Sequence, residues 1–381
     1  MGFELNEEQR MVRDMVRDLA RNEIAPRAAE VDKTEEFPAE NIRKMAELGL
    51  LGLPYPEDLG GGGGDYLSYA IAVEEIARAC GSTALIYAAH VSLGCGPIYN
   101  FGTEAQKQKW LPHLCSGQGL AAFGLTEPEA GSDAGATRTT AVRDGPFYLL
   151  NGSKMWITSG AIADVVNCTA KTDSQGGTRG ISCFLVEKGT PGFLPGKNEP
   201  KMGLKGSVTS ALALENCRVP AENLLGQEGE GFKQMLITLD AGRISIGAMA
   251  LGLAQAALDE AIQYSKERVQ FAQPIARFQA IQWMIADMAT EIDAARLMVY
   301  RAAARKDAGL AFTKEAAMAK LFASEVAERA AFKALQIHGG YGYSREYPVE
   351  RIYRDQRLCT IGEGTSEIQR LVIARQVLGR F

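Results

Sequence analysis

Apolar residues recur at helical spacing from Asn6 to about Gly119, beginning with a stretch in which charges alternate with Met, Val, Leu and Ile so that one face stays apolar. Two segments interrupt that block, PYPEDLGGGGGDY at 54–66 and SLGCGP at 92–97, both built from residues that end helices. Between about Ala121 and Gly226 the texture shortens to β-type runs, TRTTAV, FYLL, VVNCTA, ISCFLV and SALAL, with turn signals at Asp144-Gly145 and Asn151-Gly152. That spacing predicts a compact antiparallel β domain. Long helical patterns return from Phe232 to about Gln270, over Gln279–Asp307 and Lys314–Ile337, and in a last helix through Val377. Helices of about 25 to 40 residues suit a bundle.

The order helical, β, helical is segregated, so the fold class is α+β rather than a doubly wound sheet. It divides the chain into a helical domain over 1–120, a β domain over 121–226 and a helical bundle over 227–381. Gly60–Gly64 follow no strand, so they are expected to form a flexible connection and not a dinucleotide fingerprint.

Composition narrows the partners. A chain of 381 residues exceeds one ordinary core, and 46% hydrophobic with 23% charged residues is a soluble, globular balance. The net charge of -5 provides no chain-wide attraction to nucleic acid or anionic lipid. The N-terminus lacks a secretory apolar core and is expected to stay in the mature chain. The longest charge-free apolar stretch, Ile244–Leu258, contains Ser245 and Gln255 and falls short of the roughly 20 residues that span a bilayer, so it is expected to be a buried helix. Seven scattered cysteines without a C-x-x-C pair imply a reduced, cytoplasmic chain without structural zinc. Three histidines without an acidic cluster argue against a catalytic metal.

Chemistry concentrates in a few stretches. In IGEGTSEIQR, Glu363 stands between Gly362 and Gly364, which remove Cβ bulk and let a flat ligand approach. Ser366 and Gln369 have capping-box spacing, predicting a helix from Glu367. A glutamate in an apolar slot has its pKa raised towards the range of a general base, whereas a solvated one merely decorates the turn. FGLTEPEAGSDAGATRTT, 123–140, offers the hydroxyls of Thr126 and Ser132 and the unhindered amides of Gly131 and Gly135, and either lines a planar ligand or forms a polar loop. Trp156 in KMWITSG either fills the core or stacks on a ring system. Arg268, Phe271 and Gln279 suit a phosphate contact, an aromatic wall and an amide reader, or else a plain helix–loop–helix corner. QIHGGYGYS, 336–344, is a glycine turn able to cap a helix or cover a ligand. Arg345, Arg351, Arg354 and Arg357 alternate with Glu346, Glu350 and Asp355, which predicts an ion-pair network rather than a polyanion site.

Together with PEDLGGGGGDYL, LDAGR at 239–243 and QIHGGYGYSREYPVERIYRD, these stretches resemble the acyl-CoA dehydrogenase family over essentially the whole chain. The resemblance implies an N-terminal all-α domain, a middle antiparallel β domain and a C-terminal four-helix bundle. It implies a flavoprotein that binds FAD and removes the α and β hydrogens of an acyl-CoA thioester, with Glu363 as the α-proton base and a hydride passing from the β carbon to the flavin. Electrons would then go to an electron-transferring flavoprotein. By the same resemblance Phe123, Leu125, Thr126, Gly131, Ser132, Trp156, Ile157 and Thr158 hold the flavin. Arg268, Gln279, Gln336, Ile337, His338, Gly339 and Gly340 reach the FAD of a neighbouring subunit of a homotetramer, Phe271 also contacts the cofactor, and Thr365 to Glu367 close over it. Ser132, Asp240, Gly242, Arg243 and Gly364 match positions that contact the CoA substrate. Many members have a tyrosine where this chain has Gly362, implying a wider pocket that suits short or branched acyl groups and also allows cyclic or aromatic ones, and some take their base from the position that is Gly242 here. The alternatives are an acyl-CoA oxidase using oxygen and a non-catalytic assembly module of the same fold.

Overall fold

Asn6 starts the first helix: its side chain accepts from the Gln9 N–H at 2.8 Å while the Gln9 side chain accepts from the Asn6 N–H at 3.0 Å, a capping box. The computed structural model describes residues 4–379; Met1–Phe3 and Arg380–Phe381, in the first and third expected blocks, lie outside the described residues. The N-terminal block comprises α1 (Glu7–Leu19), α2 (Ala28–Thr34), α3 (Ala39–Glu47), α4 (Tyr66–Ala79), α5 (Gly81–Ala88), α6 (Gly96–Phe101) and α7 (Glu104–Cys115).

Both expected interruptions differ from expectation. Gly60–Gly64 are packed, not loose: the amides of Gly62, Gly63 and Gly64 donate to the carbonyls of Gly52, Tyr55 and Leu53, and a Cβ on Gly61 would overlap the Tyr55 carbonyl. Those amides are therefore spent on the chain itself. SLGCGP does not break the helix either; a π-helical turn, Ala89–Cys95, carries it into α6, where Pro97 sits in the first turn and needs no N–H partner.

The middle block holds β1 (Ala121–Gly124), β2 (Thr140–Asp144), β3 (Phe147–Thr158), β4 (Val165–Lys171), β5 (Ile181–Glu187), β6 (Phe193–Asn198), β7 (Thr209–Pro220) and β8 (Leu224–Leu225). The sheet runs β6-β7-β3-β2-β4-β5-β8, with β1 added against β4. Most pairings are antiparallel as expected, but two are parallel: β1 with β4, from Ala121 opposite Val165 to Gly124 opposite Cys168, and β2 with β4, at Thr140 opposite Lys171. Asp144-Gly145 does form the turn of the β2–β3 hairpin, with Gly145 at φ +58°. Asn151-Gly152 is instead a bulge inside β3, where pairing with β7 slips and a Cβ on Gly152 would stand 2.5 Å from the Thr139 hydroxyl. His90 fastens β1 to the helices: its Nδ1 accepts from the Ala121 N–H and its Nε2 donates to the Leu114 carbonyl, both at 3.2 Å.

The C-terminal block comprises α8 (Gly231–Glu267), a two-residue ladder of β9 (Val269–Gln270) with β10 (Gln273–Pro274), α9 (Gln279–Asp307), α10 (Thr313–His338), α11 (Val349–Asp355) and α12 (Ser366–Leu378). Ile244–Leu258 falls in the middle of α8, which is long and apolar enough for a membrane span by composition, but the stretch is buried within the chain at every position except Gln255. The two helical blocks share one hydrophobic core, with Tyr69 and Ile76 of α4 in it alongside Leu251 of α8 and Ala323 of α10, whereas Leu150, Phe184, Leu212 and Val219 build a second core in the sheet. Of the expected arginine network one member forms as read: Arg354 binds Glu350 at 2.8 Å and adds Asp32 of α2 at 2.9 and 2.6 Å. Arg357 instead approaches Glu328 at 3.8 Å, Asp355 accepts from the Leu204 N–H, and Arg345, Arg351 and Glu346 form no ion pair among the described residues. All seven cysteines are buried and unpaired.

Candidate active site

Glu363 occupies the turn ahead of α12. The amides of Ile361 and Gly362 close onto the Leu358 carbonyl at 2.9 and 2.8 Å, and the chain then passes through two consecutive positive φ angles, +53° at Glu363 and +93° at Gly364. A glutamate in the left-handed region is uncommon and needs support from its surroundings. The support is polar. Gln369 Nε2 donates to the carbonyls of Glu363 and Gly364 at 3.2 and 2.9 Å, and Lys320 Nζ donates to the Gly364 carbonyl at 2.7 Å. This overturns the expected Ser366/Gln369 capping box: Thr365 is the cap, its hydroxyl accepting from the Ile368 N–H, and α12 begins at Ser366 because Gln369 is engaged with the preceding loop.

The carboxylate points inward. Its Oε2 is buried with no hydrogen-bond partner, against α8 at Gly242, where a Cβ would overlap it and would stand 2.9 Å from Leu93. Burial pushes the Glu363 carboxyl up to about 7, with the nearby Lys320 and Arg243 cations restraining the rise. Asp240 and Arg243 are paired with each other, and Asp240 also accepts from the Thr313 hydroxyl. Arg243 is buried and its Nε has no partner. Gly242, Arg243 and Gly364 are thus gathered around Glu363, with Asp240 behind Arg243, Thr365 half-buried in the same turn and Glu367 exposed on the first turn of α12. Sequence reasoning missed Lys320. It is fully buried in α10, and its one signal is a lysine set among Ala316, Ala317, Ala319 and Ala323, all buried.

The loop after β1 forms a second cluster. Lys154, also fully buried, donates to Glu127 Oε1 at 2.7 Å and to Thr169 Oγ1 at 3.1 Å, while Glu127 accepts from the Arg138 and Thr139 amides. This ion pair, likewise missed, clamps the 123–132 loop to β3, and the Met155 amide adds a bond to the Thr126 carbonyl at 2.9 Å. Immediately beyond, a second slip in the β3–β7 pairing puts Trp156 at φ +62° and turns its indole outward, 57% exposed. The core-filling alternative for Trp156 is therefore excluded. Phe123, Thr126 and Thr158 are half-buried, Gly131 and Ser132 are exposed, and Leu125 and Ile157 are buried enough to offer only backbone atoms.

The third cluster lies elsewhere. Arg268 closes α8 and faces Ile337, His338, Gly339 and Gly340 at the end of α10 across a cleft of about 640 Å³ that also takes in Tyr264 and Tyr341. Gly339 and Gly340 have open space where a Cβ would be. His338 stacks on Tyr264 at 4.1 Å and donates from Nδ1 to the Ala334 carbonyl, so its ring is structural. Phe271, 88% exposed at φ +51°, and the exposed Gln279 share this corner, with Gln336 exposed on α10. Lys320 and His338 lie 18 residues apart on α10, roughly 27 Å along its axis. The structure thus does not bring the third cluster to Glu363 within one chain.

Fold and site together define a helical–β–helical chain organised around one buried, unpartnered carboxylate. Residues 6–118, 122–217 and 229–378 match the N-terminal, middle and C-terminal domains of acyl-CoA dehydrogenase. The chain belongs to the acyl-CoA dehydrogenase family. It is 59% identical over 379 residues to a probable acyl-CoA dehydrogenase of Bacillus subtilis, covering 99% of this chain and 100% of that one. It is 51% identical over 377 residues to a short-chain-specific acyl-CoA dehydrogenase of Clostridium acetobutylicum, covering 99% and 100%. Among solved structures it resembles butyryl-CoA dehydrogenase from Megasphaera elsdenii, with a TM-score of 0.97, 47% identity and coverage of 99% and 100%.

Proposed function

We propose that this chain is an FAD-dependent acyl-CoA dehydrogenase in which Glu363 removes the α-proton of a short or branched acyl-CoA thioester and electrons leave to an electron-transferring flavoprotein. The observation that carries this reading is Oε2 of Glu363, buried, without a partner, on a carboxyl whose pKa of about 7 lets it accept a proton near neutrality. Because the 363 and 364 carbonyls are tied to Gln369 and Lys320, the loop's amides are turned away from them. Neither the Glu363 nor the Gly364 N–H donates to a protein acceptor among the described residues, which supports their use as donors to the thioester oxygen as enolate charge develops. FAD, when bound, supplies the hydride acceptor for the β carbon.

The residues fit that cofactor. The outward indole of Trp156, the exposed Gly131 and Ser132 and the clamped Thr126 loop form a platform suited to a planar ring, and bare Gly339 and Gly340 beside Arg268 suit a diphosphate. The roughly 27 Å along α10 between that cleft and the Glu363 loop supports a cofactor shared between subunits. Exposed Trp283 and Phe332, 63% and 58% accessible on α9 and α10, support assembly into the homotetramer. The short or branched preference rests on the similarity to short-chain and butyryl-CoA enzymes and on Gly362, where the nearest atoms to an added Cβ would be those of Leu358, at 3.4 Å.

Anaerobic titration of the purified holoenzyme with acyl-CoA thioesters of graded length tests the reading. Butyryl-CoA or a branched analogue is expected to bleach the flavin absorbance most completely; no bleaching by any thioester overturns the proposal.

A further inference from the structure

Lys320 is the buried group that the chemistry above leaves without a role. Its side chain is fully buried on α10, and its single hydrogen bond among the described residues runs to the Gly364 carbonyl at 2.7 Å. An ammonium has three donors and is expensive to bury, so an apolar residue would be the more stable choice unless the cation performs a task. Two features of the structure indicate one. The carbonyl that Lys320 holds belongs to the second of two left-handed residues, so releasing it frees the turn that presents Glu363. The other cation near Glu363, Arg243, is already paired with Asp240, which leaves the Lys320 charge uncancelled.

We propose that Lys320 is a positioning residue for the base: its hydrogen bond to the Gly364 carbonyl holds the left-handed Glu363 turn, and its positive charge favours the ionised, proton-accepting carboxylate. The proposal rests on Glu363 being the base. The groups facing that carboxylate are Lys320 on α10, Arg243 on α8, Tyr66 and Tyr69 on α4 and Cys359 just before the loop, while Asp240 acts on Arg243 and Glu367 of α12 on Lys320. Burial drives the tyrosine and cysteine groups upward, so they stay neutral around pH 7 and leave the tuning to the cations. Burial also lowers Lys320 itself, to about 8, which keeps it mostly charged at neutrality.

The test is the pH dependence of substrate-driven flavin reduction in single-turnover experiments on the holoenzyme. A proton is taken up by ionised Glu363, so the rate rises with pH through the carboxyl's pKa. Losing a nearby cation raises that pKa by about one unit. Lys320→Met is therefore expected to move the rising limb about one pH unit upward, slowing reduction about tenfold at pH 6 while leaving the high-pH plateau nearly intact. Lys320→Gln retains a donor for the Gly364 carbonyl but no charge; it should show the same displaced limb with a smaller loss of thermal stability, and it carries the test should the Met variant not fold. Lys320→Arg should restore the limb. An infrared titration of the Glu363 carboxyl band, taken as the difference from Glu363→Gln protein, should follow the same displacement independently of turnover. An unmoved limb and band in both neutral variants overturns the role of Lys320, with Glu363→Gln still inactive. Bleaching that survives Glu363→Gln instead overturns the base assignment beneath it.

Discussion

Oε2 of Glu363 lies where a Cβ on Gly242 would stand, so the α8 glycine and the acid in the α12 turn are complementary. A glycine in a helix interior is about 0.5–1 kcal/mol less favourable than alanine. Its presence in the middle of α8 is explained by the space the carboxylate takes.

Gly242→Ala tests that complementarity. The substitution improves helix propensity yet displaces the carboxylate, so thermal stability should change little while flavin reduction by substrate falls at least about tenfold, the cost of misplacing a group by a fraction of an ångström to an ångström. Stopped-flow reduction and a melting curve on the same sample read both. Unchanged reduction would mean that the carboxylate works from another position.

Replacing the acid itself, Glu363→Gln, should retain FAD and abolish substrate bleaching by a factor on the order of a hundred to ten thousand. The wild-type limb should fall as pH drops through about 7, the pKa of the carboxyl. Stability carries the opposite signature. A carboxyl raised in the folded state contributes its full stability below the unfolded pKa and loses it as pH rises through the folded value. The Gln variant is therefore expected to be the more stable protein at pH 8, with the difference shrinking towards pH 5, as denaturant melts at the two pH values would reveal.

Lys154 and Glu127 form a fully desolvated ion pair beneath the Trp156 bulge. Removing one partner strands the other, at a typical cost of about 3–5 kcal/mol. Lys154→Met should accordingly lower the denaturation midpoint and loosen flavin, with Glu127→Gln added to it recovering part of the stability. Flavin absorbance after gel filtration and a urea melt measure the two effects; a Lys154→Met protein that matches wild type in both refutes the clamp.

Arg268→Ala removes the one cation that, among the described residues, lines the cleft beside Gly339 and Gly340. The fold of each chain should persist, since Arg268 ends α8 through its backbone, but FAD should be lost on dialysis several-fold faster than from wild type. Flavin content after extended dialysis, with far-ultraviolet circular dichroism as the control, decides it.

Periodicity alone placed the long helices: Gln279–Asp307 stands as read, and the others shifted only at their ends. Glycine-rich stretches were harder, because a glycine marks either freedom or crowding and local sequence does not distinguish them. Gly60, Gly61 and Gly152 proved crowded, by Pro112, the Tyr55 carbonyl and Thr139 respectively. The strand β6 went unnoticed because FLPGKN carries a proline and a glycine within an edge strand, where a missing ladder donor is tolerated.

The helical–β–helical order and the acid between two glycines were legible along the chain, because amphipathic period and residue order are local properties. What surrounds that acid emerged only from packing. Lys320 lies 44 residues from Gly364, and Gly242 belongs to another helix altogether; a buried cation and a vacated Cβ acquire meaning only once packing brings them to the same carboxylate.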